Sequence, residues 1–221
     1  MANTAYIVGA GPQGRILSEI WQAQQPGIDL HFLDDNASLH GTRLLGVPID
    51  GPVDKLRSVD LKNAAVVLGI GDNYRRLEVA SNLDKLGVRW ATVVHPSAVV
   101  MRSATIGEGS VVFAQALVHT NAQVGRHVII NSGALVEHDA VVGDGASLSP
   151  GVSMAGRVHI GRASFISTGA AIAPRISIGA GTIVGAGAVV VSDLPDGVLA
   201  YGVPARVIRK LEGAGDFRRV L

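Results

Sequence analysis

The chain has 221 residues, long for one ordinary domain and short for two large ones, and its 19 basic and 18 acidic residues leave a formal net charge of +1. That balance supplies no field to draw nucleic acid or an anionic membrane surface, and no apolar run approaches the roughly 18 residues of a membrane helix. Cysteine is absent, which removes disulfides, thiolate metal sites and covalent cysteine catalysis together.

The N-terminal MANTAYIVGAG lacks the basic-then-apolar build of a secretion signal, so a cytoplasmic protein is expected. Residues 5–9 (AYIVG), 29–35 (DLHFLDD) and 64–71 (AAVVLGIG) read as buried strands, while 16–24 (ILSEIWQAQ) and 74–87 (YRRLEVASNLDKLG) carry helical spacing. This order describes a small parallel α/β domain, Rossmann-like but too short for a full two-half dinucleotide fold. The first strand runs into Gly9-Ala10-Gly11-Pro12-Gln13-Gly14, with Asp34 and Asp35 about twenty residues on, at the end of the second strand. Glycines there let a phosphate approach a helix N-terminus, and a carboxylate meets a ribose hydroxyl; the competing reading is a merely tight βα turn. A second turn, Gly69-Ile70-Gly71-Asp72-Asn73, opens a helix carrying Arg75 and Arg76, so two adjacent helix starts would enclose one pyrophosphate. Around VVHPSAVV (93–100) the pattern changes, which divides the chain into residues 1–95 and 96–221.

From Val100 onward every sixth residue is aliphatic or Met, through Val136, Met154 and Ile172 to Val190. Two residues before each stands a small or β-branched one, such as Ala104, Ser110, Ala134 or Ser164. Glycine follows the aliphatic residue at Gly107, Gly125, Gly143, Gly161 and Gly179, every eighteen residues. Eighteen residues therefore make one coil of three short strands, with coils stacked about 4.8 Å apart as parallel strands. The recurring glycine is expected where a corner needs a conformation that side chains resist. The 28 glycines and the low charged fraction of 17% agree with such a turn-rich β structure. This pattern resembles the left-handed parallel β-helix of the hexapeptide-repeat acyltransferases, whose known members are generally trimers with active sites between neighbouring prisms.

The segment NSGALVEHDAVVGDG (131–145) sets Glu137, His138 and Asp139 side by side. Val136 points inward in the six-residue frame, so His138 falls at or beside a corner, open to solvent or to an adjoining subunit. A neutral imidazole suits removal of a proton from an attacking amine near pH 7, and a neighbouring carboxylate can hold its tautomer. From these residues alone, a solvated corner histidine is the alternative.

Taken in chain order, IVGAGPQGR, FLDDN, GIGDN, VVHPSA, NSGALVEHDAVVGDGASLSPG and GVPARVI resemble the sialic-acid-type and nucleotide-sugar acetyltransferase family over nearly the whole length. That family includes enzymes that N-acetylate UDP-linked 4-amino-4,6-dideoxy sugars and one acting on GDP-perosamine. The resemblance implies a front domain that holds the nucleotide-linked amino sugar at Gly11, Gln13, Gly14, Asp34, Asp35, Gly71 and Asn73. It implies a β-helix that holds acetyl-CoA at Asn131, Ser147, Gly156, Thr168 and Ala186, with His138 as general base, Asp139 as its partner and Glu137 as second choice. A homotrimer is implied as well; no metal is expected, from the histidine spacing below and the absence of Cys. Two positions depart from the family: Ser147 stands where a His often contacts the CoA arm, and Gly11-Pro12-Gln13-Gly14 replaces Gly-Gly-His-Gly.

Rival readings are an O-acetyltransferase of sialic acid or a related sugar, a nicotinamide oxidoreductase, a non-catalytic sugar-nucleotide scaffold, and a zinc enzyme on the same β-helix. The last needs histidines separated by multiples of eighteen, and His119, His127, His138 and His159 contain no such pair.

Overall fold

The computed structural model describes residues 4–220, which form two compact units divided between Pro96 and Ser97. In the front unit, β1 (Thr4–Val8), β2 (Asp29–Leu33) and β3 (Ala64–Leu68) make a parallel sheet in the order β2-β1-β3. Helix α1 (Pro12–Gln24) follows β1, and α2 (Asn73–Asp84) follows β3. Pro12 suits the first turn of α1 because the N–H it lacks would have no intrahelical partner there. Asp72 caps α2 by accepting a hydrogen bond from the Arg75 N–H. Between β2 and β3 the chain forms two short 3-10 turns, Ala37–Leu39 and Val53–Ser58, and a two-residue hairpin pair, none of which has a periodic sequence signature.

The second unit is a left-handed parallel β-helix. Its first face stacks Val99–Val100, Leu117–Val118, Leu135–Val136, Ser153–Met154, Ala171–Ile172 and Val189–Val190. Its second face runs from Thr105–Ile106 to Ser177–Ile178, and its third carries Val111–Val112 through Ile183–Val184. Register advances by one coil at each step, Val118 pairing with Val136, Val136 with Met154 and Met154 with Ile172. Every inward aliphatic residue from Val112 to Val190 is buried, so the six-residue repeat builds one continuous core.

The corner conformation falls elsewhere than on the glycines that follow the aliphatic residues. Every sixth residue from Gly109 to Gly187 takes a left-handed φ, and half of these are not glycine: Gln115, Asn121, His127, Asp139, Arg157, Ala163 and Arg175. Gly107, Gly125, Gly143, Gly161 and Gly179 answer a different demand, close stacking between coils. A Cβ on Gly107 would sit 2.5 Å from the carbonyl carbon of Gly125, and one on Gly161 would sit 2.4 Å from the backbone nitrogen of Ala180.

The β-helix ends in Val198–Gly202, paired parallel with Ile183–Val184 and antiparallel with Ala205–Lys210. Helix α3 (Gly213–Val220) then buries Phe217, whose ring meets Phe165 edge-on at 6.4 Å, while Arg209 forms a two-pronged ion pair with Asp216.

Candidate active site

His138 projects from the corner between the first and second faces, two residues beyond the fully buried Val136. Its Nδ1 lies 2.8 Å from Oδ2 of Asp139. Asp139 holds φ at +57°, a left-handed conformation that Asp adopts more readily than most residues, within the same corner turn. Asn121, one coil earlier, donates from Nδ2 to Asp139 Oδ1 at 3.2 Å, and Nε of Arg157, one coil later, stands 3.8 Å from Oδ2. The hydrogen bond from His138, then that from Asn121, holds the Asp139 carboxyl below the usual carboxylate range despite a small opposing effect of desolvation, and the charges of His138 and Arg157 add to this. An ionised carboxylate at Nδ1 fixes the proton on that nitrogen and leaves Nε2 as the acceptor.

Gly156 stacks on His138 one coil of eighteen residues later, and a Cβ there would sit 2.4 Å from Nε2 and 2.6 Å from Cε1 of the imidazole. Glycine thus lets the imidazole lie against the backbone of the next coil, where any side chain would displace it. Glu137 turns to the backbone instead, its Oε2 accepting from the His138 N–H at 3.1 Å. His119 was not singled out by sequence: its ring meets that of His138 edge-on at 6.5 Å, and its Nδ1 accepts the Thr120 N–H. The signal was available, because His119 lies one coil before Glu137 in the same column.

Asn131, Thr168 and Ala186 lie on the neighbouring corner, between the third and first faces, with Asn131 Oδ1 accepting the Ser132 N–H. The first face lies between this corner and that of His138. A groove of about 350 Å³ runs along it, floored by small and apolar residues including Leu135, Ser153, Ala155, Ala171, Ala173 and Val189, with Glu137 at one side. Ser147 is not brought to either corner: it sits on the third face with its side chain buried.

In the front unit a cleft of about 370 Å³ opens at the carboxyl ends of β1 and β3, where the strand order reverses. Open α/β sheets bind ligands at this switch point. Asp34 and Asp35 line it together with Gly9, Val53, Ile70 and the α2 residues Arg75, Val79, Asn82 and Leu83. Asp34 also fastens the glycine turn, accepting the Ala10 N–H at 2.7 Å, and Asp35 accepts the Val53 N–H at 3.0 Å. The α2 residues share one helical face, a spacing that the sequence displayed without indicating which side it served.

The remaining front-unit candidates divide by role. Gly14 packs rather than faces the cleft, since a Cβ on it would lie 2.0 Å from the Gly9 carbonyl oxygen. Gly11 and Gly71 have open space around the position a Cβ would take. Gln13 is partly buried, with Nε2 enclosed and no hydrogen-bond partner among the described residues. Asn73 is fully buried, and its Oδ1 accepts from Arg76 Nη2. Among the described residues no three His, Asp or Glu side chains gather as metal ligands would, and no helix is long and apolar enough to cross a membrane.

Residues 4–83 match the model of the PglD N-terminal domain family. A UDP-N-acetylbacillosamine N-acetyltransferase of Bacillus subtilis is 36% identical over 113 residues, and the match spans 51% of this chain and about half, 51%, of that curated relative. Among solved structures, PerB of Caulobacter crescentus, in complex with CoA and GDP-perosamine, is 36% identical with a TM-score of 0.86, covering 93% of this chain and 97% of its own. The acetyltransferase domain of PglB from Neisseria gonorrhoeae, in complex with acetyl coenzyme A, is 34% identical with a TM-score of 0.90, covering 94% of this chain and 100% of its own. The two structural likenesses span nearly the whole of this chain and of their own, and the chain belongs to the nucleotide-sugar N-acetyltransferase family.

Proposed function

We propose that this protein transfers the acetyl group of acetyl-CoA to the amino group of a nucleotide-linked 4-amino-4,6-dideoxy sugar, with UDP or GDP as the nucleotide. The observation that carries this reading is the His138–Asp139 pair, which leaves Nε2 as the proton-accepting nitrogen, beside Gly156. His138 Nε2 takes the proton of the sugar amine as its nitrogen bonds to the thioester carbonyl carbon, and Asp139 stabilises the imidazolium that results. The Gly156 N–H donates to the oxygen that becomes negative. Collapse breaks the carbon–sulfur bond, and the proton held by His138 leaves with the CoA thiolate.

The groove on the first face fits the pantetheine arm, being largely apolar and floored by Ser153, Ala155, Ala171 and Ala173. Asn131, Thr168 and Ala186 flank it from the adjoining corner, and Ser147 takes no direct part within its own protomer. The switch-point cleft takes the nucleotide, with Arg75 toward the diphosphate and Asp34 or Asp35 toward the ribose. Gln13 and Gly71 are assigned to the phosphate and sugar side of that ligand, and Gly11, Gly14 and Asn73 support the loops that hold it. A homotrimer with sites between subunits accords with His138 lying on an outer corner. Acyl-CoA and nucleotide sugars are cytoplasmic metabolites, and a cytoplasmic enzyme matches them.

Mass spectrometry and NMR of the product test the reading. Gain of one acetyl group as an amide on the sugar supports it; an ester on a sugar hydroxyl would assign the protein to the O-acetyltransferases instead.

A further inference from the structure

Arg76 is among the largest fully buried side chains of the described residues, 1% exposed, and it lies in the first turn of α2 beside a cleft-lining residue, Arg75. Its Nη1 donates to the carbonyl oxygens of Ile70 at 2.9 Å and Gly71 at 3.0 Å, and its Nη2 donates to Asn73 Oδ1 at 2.8 Å. One guanidinium therefore gathers three acceptors from the segment that joins β3 to α2. Burial lowers its pKa to about 9, with the nearby Asp72 charge opposing, so the group stays charged at neutral pH.

Taking so large a cation out of water is costly, and hydrophobic packing would fill the same volume without that cost. The hydrogen bonds indicate what the cation does. In a trans peptide the N–H points opposite to the C=O of the same unit. Drawing the Ile70 and Gly71 carbonyls inward onto Arg76 therefore turns the N–H groups of Gly71 and Asp72 away from it. The same contacts hold Ile70, which lines the cleft, and set the start of α2, from which Arg75 reaches the cleft. A planar fork of donors with no acceptor suits this task, and a single ammonium point cannot reproduce its geometry.

We infer that Arg76 is a positioning residue for nucleotide-sugar binding: from inside the fold it sets the β3–α2 loop, and with it the α2 wall of the cleft, in the shape that receives the diphosphate. This rests on the proposed function, and it separates Arg76 from any role in acetyl-CoA binding or proton transfer.

The test compares Arg76→Gln and Arg76→Lys with the parent protein, using steady-state kinetics for both substrates and calorimetric titration with UDP and with GDP alone. Expected for Arg76→Gln is a rise of at least about tenfold in the KM for the nucleotide sugar, equal weakening of whichever nucleoside diphosphate the parent binds, and kcat and the acetyl-CoA KM within about twofold. Arg76→Lys, which keeps the charge and loses the fork, falls between the two. Unchanged nucleotide-sugar KM, or a loss shared equally by kcat and both substrates, overturns the inference. Should Arg76→Gln fail to fold, as read by tryptophan emission from Trp21 and Trp90, the lysine variant decides: parental affinity contradicts the positioning role. A parent protein that binds neither diphosphate and acetylates no nucleotide sugar would instead refute the proposed function itself.

Discussion

His138 and Asp139 are chain neighbours whose side chains meet, Nδ1 to Oδ2, at 2.8 Å, because Asp139 occupies the left-handed corner position of its coil. Adjacent residues in an extended strand point to opposite sides; at this corner they converge. The repeat that builds the fold thereby also builds the pair.

If Nε2 of His138 is the proton acceptor, His138→Ala should lower kcat by about 10²–10⁴-fold, with nucleotide-sugar affinity nearly unchanged. The side chain is half-exposed at a corner, so the melting temperature should hold. Steady-state rates beside a thermal melt check both halves of this expectation.

Asp139→Asn keeps a residue that accepts the left-handed conformation but removes the charge, and kcat should fall at least about tenfold. The Asp139 carboxyl is held below the ordinary carboxylate range, first by the His138 hydrogen bond, so it stays ionised down through that range. A fall of kcat/KM within the ordinary carboxylate range is therefore not protonation of Asp139. Steady-state turnover of Asp139→Asn equal to that of the parent would argue against the pairing.

Gly156→Ala places a methyl group 2.4 Å from Nε2 of His138, so the imidazole must leave its position. Gly156 does not have a left-handed φ, so alanine suits its backbone and only the imidazole must give way. A fall in kcat of about 10²-fold or more with little change in melting temperature is expected. Circular dichroism melts and turnover measured on one preparation distinguish this from general destabilisation.

Gly14→Ala and Gly11→Ala separate packing from ligand contact in the glycine turn. At Gly14 the new methyl would meet the Gly9 carbonyl oxygen at 2.0 Å, which should destabilise the front unit by about 1–3 kcal/mol or more. At Gly11 no atom lies within 4 Å of the added methyl, and stability should be unchanged. Both tryptophans, Trp21 and Trp90, belong to the front unit, so denaturant titration followed by their emission reads that unit selectively.

The β-helix was legible because each coil repeats one inward contact, so Val136, Met154 and Ile172 announce themselves by spacing alone. The corners were not: left-handed φ is carried by Asn121, Asp139 and Arg157 as well as by glycines, and no single residue type marks it. Spacing located Gly107 and its successors correctly but not their reason, since close approach between coils depends on atoms eighteen residues away. In the front unit the strand ends and glycine turn were readable from local pattern. The roles of Asn73 and Arg76 were not, because a buried polar contact looks in sequence like an exposed polar helix start. The terminal hairpin and α3 had no periodicity to betray them.

The most direct test of acetyl transfer through His138 is thiol release from acetyl-CoA, followed with a chromogenic disulfide for the parent protein and for His138→Ala, with UDP-, GDP- and dTDP-linked 4-amino sugars beside free sialic acid. The chain has no cysteine and contributes no background thiol. Rapid release with one amino-sugar nucleotide, lost in His138→Ala, is the predicted result. Release with sialic acid alone, or equal rates in parent and variant, would contradict it.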